Sequence, residues 1–235
     1  MALNSYLQQA QRLLGDTAQL QFDLGSLTTY VNMAREQVAL EGQCIRILPN
    51  SSLTANQTVV GQDIYLFSAI DLTGNPGVAS VLNIRGISLL WGNQRFTMLK
   101  NGFSKHTALI RTYPNSYTDV PSAWAQFGQG QQGSLYVYPI PNSAYPLEYD
   151  CTCLPIALLD DTTVEAIPTP WTTAIPYFVA YLGMSEKAGR ETNPELMVAY
   201  IKAADRHFSL YSKFMQRARA FTQTNSVSNW YGRGV

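Results

Sequence analysis

Three cysteines and two histidines are all that 235 residues provide, and that scarcity removes several functions at once. A structural zinc needs four nitrogen or sulfur ligands, and no cluster of them exists along this chain. Cys44 stands alone, whereas Cys151 and Cys153 share one face of an expected strand with Leu147 and Tyr149, so buried core thiols are expected. Long hydrophobic runs are missing too. The longest, AIPYFVAYLGM, has 11 residues, short of the roughly 18 that a membrane span requires, so no membrane partner is expected. Nucleophile-elbow, P-loop and zincin signatures do not occur. Charge is sparse as well, 14% of residues, with 16 basic against 16 acidic groups. A zero net charge gives no whole-molecule pull toward nucleic acid or lipid.

What is present is 46% hydrophobic residues, enough for a large core, and an uneven arrangement of the few charges. Between Asp71 and Asp119 there are five basic residues and no acid. From Glu148 to Glu195 there are eight acids against Lys187 and Arg190, and from Leu196 onward six basic residues face only Asp205. The opening MALNSYLQQAQRLLGD has neither the basic flank nor the apolar core of a signal peptide, so folding in a reducing cytoplasm is expected, without disulfides.

Hydrophobic period divides the chain. Leu3, Leu7, Ala10 and Leu14 fall at helical spacing, and a second helix is expected behind a Ser26 cap, with Leu27, Val31, Ala34 and Val38 on one face and Gly42 ending it. From Cys44 to Pro155 short runs rich in Val, Ile and Tyr, punctuated by Gly, Asn and Pro, predict antiparallel strands. Helix returns near Thr169-Pro170-Trp171, with Pro176 either kinking it or marking its true start. A last helix is expected from Pro194 to Phe221. The fold class expected is therefore α+β: a four-helix bundle from residues 1–43 and 156–221, an inserted antiparallel β subdomain at 44–155, and a C-terminal extension at 222–235.

On the last helix Leu196, Tyr200, Ala204, Phe208, Tyr211, Met215 and Ala218 share one broad face, while Lys202, Arg206, Lys213 and Arg217 form a narrow stripe nearly opposite. That stripe suits solvent, a partner's acidic surface, or DNA phosphates met without sequence reading. His207, near the apolar face, reads as a hydrogen-bonded core histidine. Gly128-Gln129-Gly130-Gln131-Gln132-Gly133 matches a dinucleotide fingerprint formally, but a strand containing Pro139 and Pro141 follows where a helix is required, so a loop is expected and no cofactor. Asp160 and Asp161, with Glu165 nearby, suggest a carboxylate pair for acid-base work or, more simply, a solvated turn. No catalytic or metal-binding residue is assigned. The last stretch, NSVSNWYGRGV, holds Trp230, Tyr231 and Arg233 among Ser, Asn and Gly, a composition suited to a peptide that docks on another protein.

The stretch YPLEYDCTCLPIALLDDTTVEAIPTPWTTAIPYFVAYLGMSEKAGR resembles the strand, acidic turn, proline-rich link and buried helix of bacteriophage head-to-tail adaptors, the podoviral tail tubular protein A and tail accessory factor class. The layout of two helices, a β region and a long last helix resembles it across nearly the whole chain. The resemblance implies a non-enzymatic virion component, assembled in the host cytoplasm. About twelve copies would form a ring beneath the portal protein, extend the channel for genomic DNA and seat the tail nozzle. It also implies that the C-terminal segment, here with Trp230, Tyr231 and Arg233, reaches the portal. Another tail or neck completion protein is the nearest alternative, and a hydrolase using the Asp160 region a more distant one.

Overall fold

The computed structural model describes residues 3–18, 20–112 and 117–225. The chain divides into two compact units, residues 1–44 with 157–235 and residues Ile45–Ile156.

The first unit holds α1 (Leu3–Leu14), α2 (Leu24–Gly42), α4 (Ile175–Arg190) and α5 (Pro194–Asn225). Helix α1 buries Leu3, Tyr6, Leu7, Ala10, Gln11 and Leu14, a stripe at the 3.6-residue period. Helix α2 starts two residues earlier than its expected cap. Asp23 is the N-cap: its carboxylate accepts from the Ser26 backbone N–H and hydroxyl, both at 2.8 Å, so Ser26 is a donor inside the first turn. At the other end Gln43, φ 45°, takes the left-handed cap position, while Gly42 is needed for another reason. A Cβ on Gly42 would lie 2.6 Å from the Trp171 ring. A single 3₁₀ turn, Trp171–Ala174, precedes α4, and Pro176 sits in the first turn of that helix, where its missing N–H is no loss.

The second unit carries ten short or long strands among the described residues: β1 (Arg46–Ile47), β2 (Ile64–Leu66), β3 (Val78–Trp91), β4 (Gln94–Thr97), β5 (Leu99–Asn101), β6 (Thr118–Asp119), β7 (Ala123–Phe127), β8 (Ser134–Tyr138), β9 (Ile140–Pro141) and β10 (Leu147–Pro155). Helix α3 (Phe103–Thr112) lies between β5 and β6. One sheet has the order β1-β10-β3-β4 and is antiparallel throughout. Three register shifts along the β3–β10 ladder bend it, giving a curled half-barrel. Gly92, φ 58°, supplies the positive φ that the two-residue β3–β4 turn needs at its first central position. A second sheet runs β2-β8-β7-β5, and β6 pairs with β9.

This is not the four-helix bundle with an inserted antiparallel subdomain that the sequence suggested. The described residues form an α+β protein with five helices and ten strands in three sheets. Two physical reasons account for the difference. Helix α4 is apolar on several sides, burying Ile175, Val179, Ala180 and Gly183, and it packs against α1, α2 and α5 as a hub; four helices do not share one central seam. In the second unit β5–β7 and β6–β9 are parallel. A parallel pair needs a long crossover, and α3 lies in the one joining β5 to β7. Helix α5 also runs past Phe221 to Asn225, so residues 222–225 are helix, not extension.

Candidate interaction surfaces

The acidic turn is anchored from beneath by an ion pair between segments 130 residues apart. Arg35, on α2, donates Nε and Nη2 to Glu165 at 2.9 and 2.8 Å, a bidentate fit, and the pair is buried. Tyr6 of α1 donates its hydroxyl to Glu165 at 2.9 Å, and the Ile167 N–H donates to the same carboxylate at 2.9 Å. Burial, then the Glu165 charge, raises the Tyr6 phenol far above its ordinary pKa. Asn32 completes the anchor: its Oδ1 accepts from the Leu158 N–H at 2.8 Å and its Nδ2 donates to the Leu158 carbonyl at 3.1 Å. Glu165 is one of the three acids the sequence groups together, whereas Arg35 carries no local signal, because nothing in the sequence distinguishes a buried arginine on a helix from a solvated one.

Above that anchor the acids separate. Asp160 turns back into its own loop, accepting from the N–H and hydroxyl groups of Thr162 and Thr163 at 2.7–3.0 Å. The Thr162 hydroxyl, first among these donors, holds the Asp160 carboxyl below its usual pKa. Asp161 instead accepts from the Asn4 backbone N–H at 2.8 Å and from its side-chain amide. Each of the three carboxylates thus has a different set of donors, and among the described residues no group of three His, Cys, Asp or Glu is placed to hold a metal ion.

Helix α5 lies on α4 and buries Ala204, Tyr211, Met215 and Ala218. Tyr211 meets Phe178 at 4.9 Å between ring centroids, and Tyr177 stacks on Phe214 at 4.9 Å. Two members of the expected core face are not core: Leu196 is 46% and Phe208 44% exposed. Met197, Val198 and Ile201, outside that expected face, are exposed as well, so the first turns of α5 show an apolar surface. Lys202, Arg206, Lys213 and Arg217 are exposed, and none lies within ion-pair distance of a carboxylate among the described residues. At 1.5 Å rise per residue the row is about 22 Å long. His207 is half-buried, and its Nδ1 is buried without a hydrogen-bond partner, unlike the bonded histidine expected.

In the second unit the glycine-rich stretch forms a loop with a 3₁₀ turn at Gly130–Gln132 and leads into β8. Gly133 is pressed on Phe67: an added Cβ would come within 2.5 Å of that ring. Cys151 and Cys153 are buried thiols, as is expected of alternate strand positions beside Leu147 and Tyr149, and burial pushes the Cys153 thiol up to about 12. A cleft of about 430 Å³ on this unit is lined by Arg95, Glu148 and Asp150 among others. Its carboxylates are engaged, Glu148 by Arg95 at 2.6 Å and Asp150 by Arg46 at 2.6 Å. His106 on α3 is fully buried, with both ring nitrogens lacking a partner, and packs edge-on against Tyr136 and Tyr138. Trp230, Tyr231 and Arg233 lie outside the described residues.

Comparison with protein-family models and with curated proteins finds no match for this chain.

Proposed function

We propose that this protein is a structural head-to-tail connector adaptor of a tailed bacteriophage, acting through shape, self-association and contact with DNA and not through catalysis. Its partners are the portal protein above, a tail nozzle or other tail protein below, about eleven further copies of itself, and genomic DNA passing without sequence recognition. The observation that carries the reading is helix α5, whose exposed cationic row, Lys202, Arg206, Lys213 and Arg217, has no carboxylate partner within the described chain. A row of unpaired cations about 22 Å long suits a polyanion or an acidic protein face. The exposed apolar turns at the start of the same helix add a surface of the kind that subunit contacts cover. In this reading Trp230, Tyr231 and Arg233 supply the aromatic and guanidinium anchors for the portal.

Electron microscopy of the purified chain mixed with portal rings of its phage tests the proposal. A ring stacked on the portal supports it. A single plug points to the alternative of a tail or neck completion protein, and no association with the portal contradicts both.

A further inference from the structure

The first unit presents two exposed surfaces of opposite character. On α5, Val198 and Ile201 are each 45% exposed; Val198 neighbours Ile201 at i+3 and Lys202 at i+4, and Arg206 stands one turn beyond Lys202. Asp205 is exposed on this face too, one turn beyond Ile201, so with Lys202 and Arg206 the face carries two positive charges against one negative and is apolar as well as net positive. The second surface is the turn that begins after buried Leu158. There Leu159 is 81% and Val164 50% exposed, with Asp160 and Asp161 between them.

That turn is ordered before any partner arrives. Asp160 closes it on Thr162 and Thr163, Asp161 is tied to Asn4, and Glu165 is clamped by buried Arg35. A leucine held out in water on a loop fixed at both ends loses little further freedom on docking, which is where association usually meets its entropic cost. The turn therefore has the properties of a knob, and α5 those of its seat.

We propose that in the assembled ring the Leu159–Val164 turn of one copy docks on the Val198–Arg206 face of α5 in the next copy. Leu159 lies against Val198 and Ile201, and the Asp161 carboxylate faces Lys202 and Arg206. The inference rests on the self-assembling reading above. Charge complementarity selects the occupant: the chain carries both the acidic apolar knob and the basic apolar seat, on different parts of one unit. Two different patches meeting make a heterologous contact, which closes into a ring when the rotation allows and cannot stop at a dimer.

The test is sedimentation of the full-length chain over a wide concentration range. Lys202→Glu with Arg206→Glu, or Asp161→Lys alone, should weaken self-association at least about tenfold. The three changes combined should give tighter association than either swap alone, because the charges again oppose, although Asp161→Lys also releases the turn from Asn4. Leu159→Ser should weaken association without lowering the melting temperature. Arg85→Glu with Lys105→Glu, an equal charge change at exposed residues outside the row, should leave it intact. Association indifferent to the swap, loss without rescue in the combined variant, or a monomer at every concentration overturns the contact. Swapped variants that still form normal rings on the portal would remove this contact and leave the connector reading standing; swap-sensitive association by a chain that ignores the portal would do the reverse.

Discussion

Arg35 and Glu165 form a bidentate ion pair at 2.8 and 2.9 Å with side chains only 1% and 5% exposed, joining helix α2 to the acidic turn. Removing one partner strands the other charge in the interior. Glu165→Ala should therefore cost about 3–5 kcal/mol in denaturant unfolding. Replacing both, as Arg35→Met with Glu165→Leu, should recover most of that loss, although the Tyr6 hydroxyl and Ile167 N–H then lose an acceptor. A Glu165→Ala loss under about 1 kcal/mol would show that water reaches the site.

Tyr211 and Phe208 sit three residues apart on α5 in unlike surroundings. Tyr211 is buried against Phe178, whereas Phe208 is 44% exposed and touches Tyr181 and Tyr211 with one side only. Tyr211→Ala should cost about 3–5 kcal/mol and Phe208→Ala roughly half as much or less. Equal losses in thermal or chemical unfolding would mean that Phe208 is covered in solution.

Acid should weaken the second unit through His106. Burial lowers its pKa below the ordinary value near 6.5, with Asp63 opposing weakly, so the folded unit favours the neutral ring. The unfolded chain binds the proton more readily. Stability from this group is then fully present above about pH 6.5 and lost as pH falls below it toward the lowered folded pKa. Protection of the α3 amides relative to their intrinsic exchange rates should fall over that window, and His106→Phe, which keeps an aromatic ring beside Tyr136 and Tyr138, should flatten the dependence. An unchanged pH profile in the variant would remove His106 as the cause.

The cationic row has its own signature. If it meets DNA phosphates, Lys213→Gln with Arg217→Gln should lower the salt slope of duplex binding by about 0.9 for each charge removed, equally for unrelated sequences. Folding should be untouched, since both side chains are exposed. An unchanged slope returns the row to an ordinary solvated face.

Several elements were legible from local pattern alone. Helix α1 has the bounds Leu3–Leu14 that its apolar spacing indicates, and Pro176 opens α4, one of the two roles its backbone chemistry permits. Local signals were misassigned where two residues compete for one role. Asp23 and Ser26 are both good caps; Gly42 does end α2 as expected, and its small size in addition makes room for Trp171. What could not be read were relationships across the chain. Arg35 finds Glu165 at a separation of 130 residues, α3 hides in a ten-residue stretch flanked by strand-like segments, and α4 becomes a hub only when three helices converge on it. The exposed apolar turns of α5 were missed for a related reason. Periodicity shows that a face is apolar, not whether the same chain covers it.

The most direct test of the connector reading is co-sedimentation of the full-length chain with isolated portal rings, with stoichiometry measured beside a chain ending at Asn225. The expected result is saturation at about one copy per portal subunit, and binding at least about tenfold weaker when Trp230, Tyr231 and Arg233 are removed, at unchanged melting temperature. A full-length chain that stays in the supernatant at every ratio would contradict the connector function itself. Equal binding by the shortened chain would contradict the role given to its last residues.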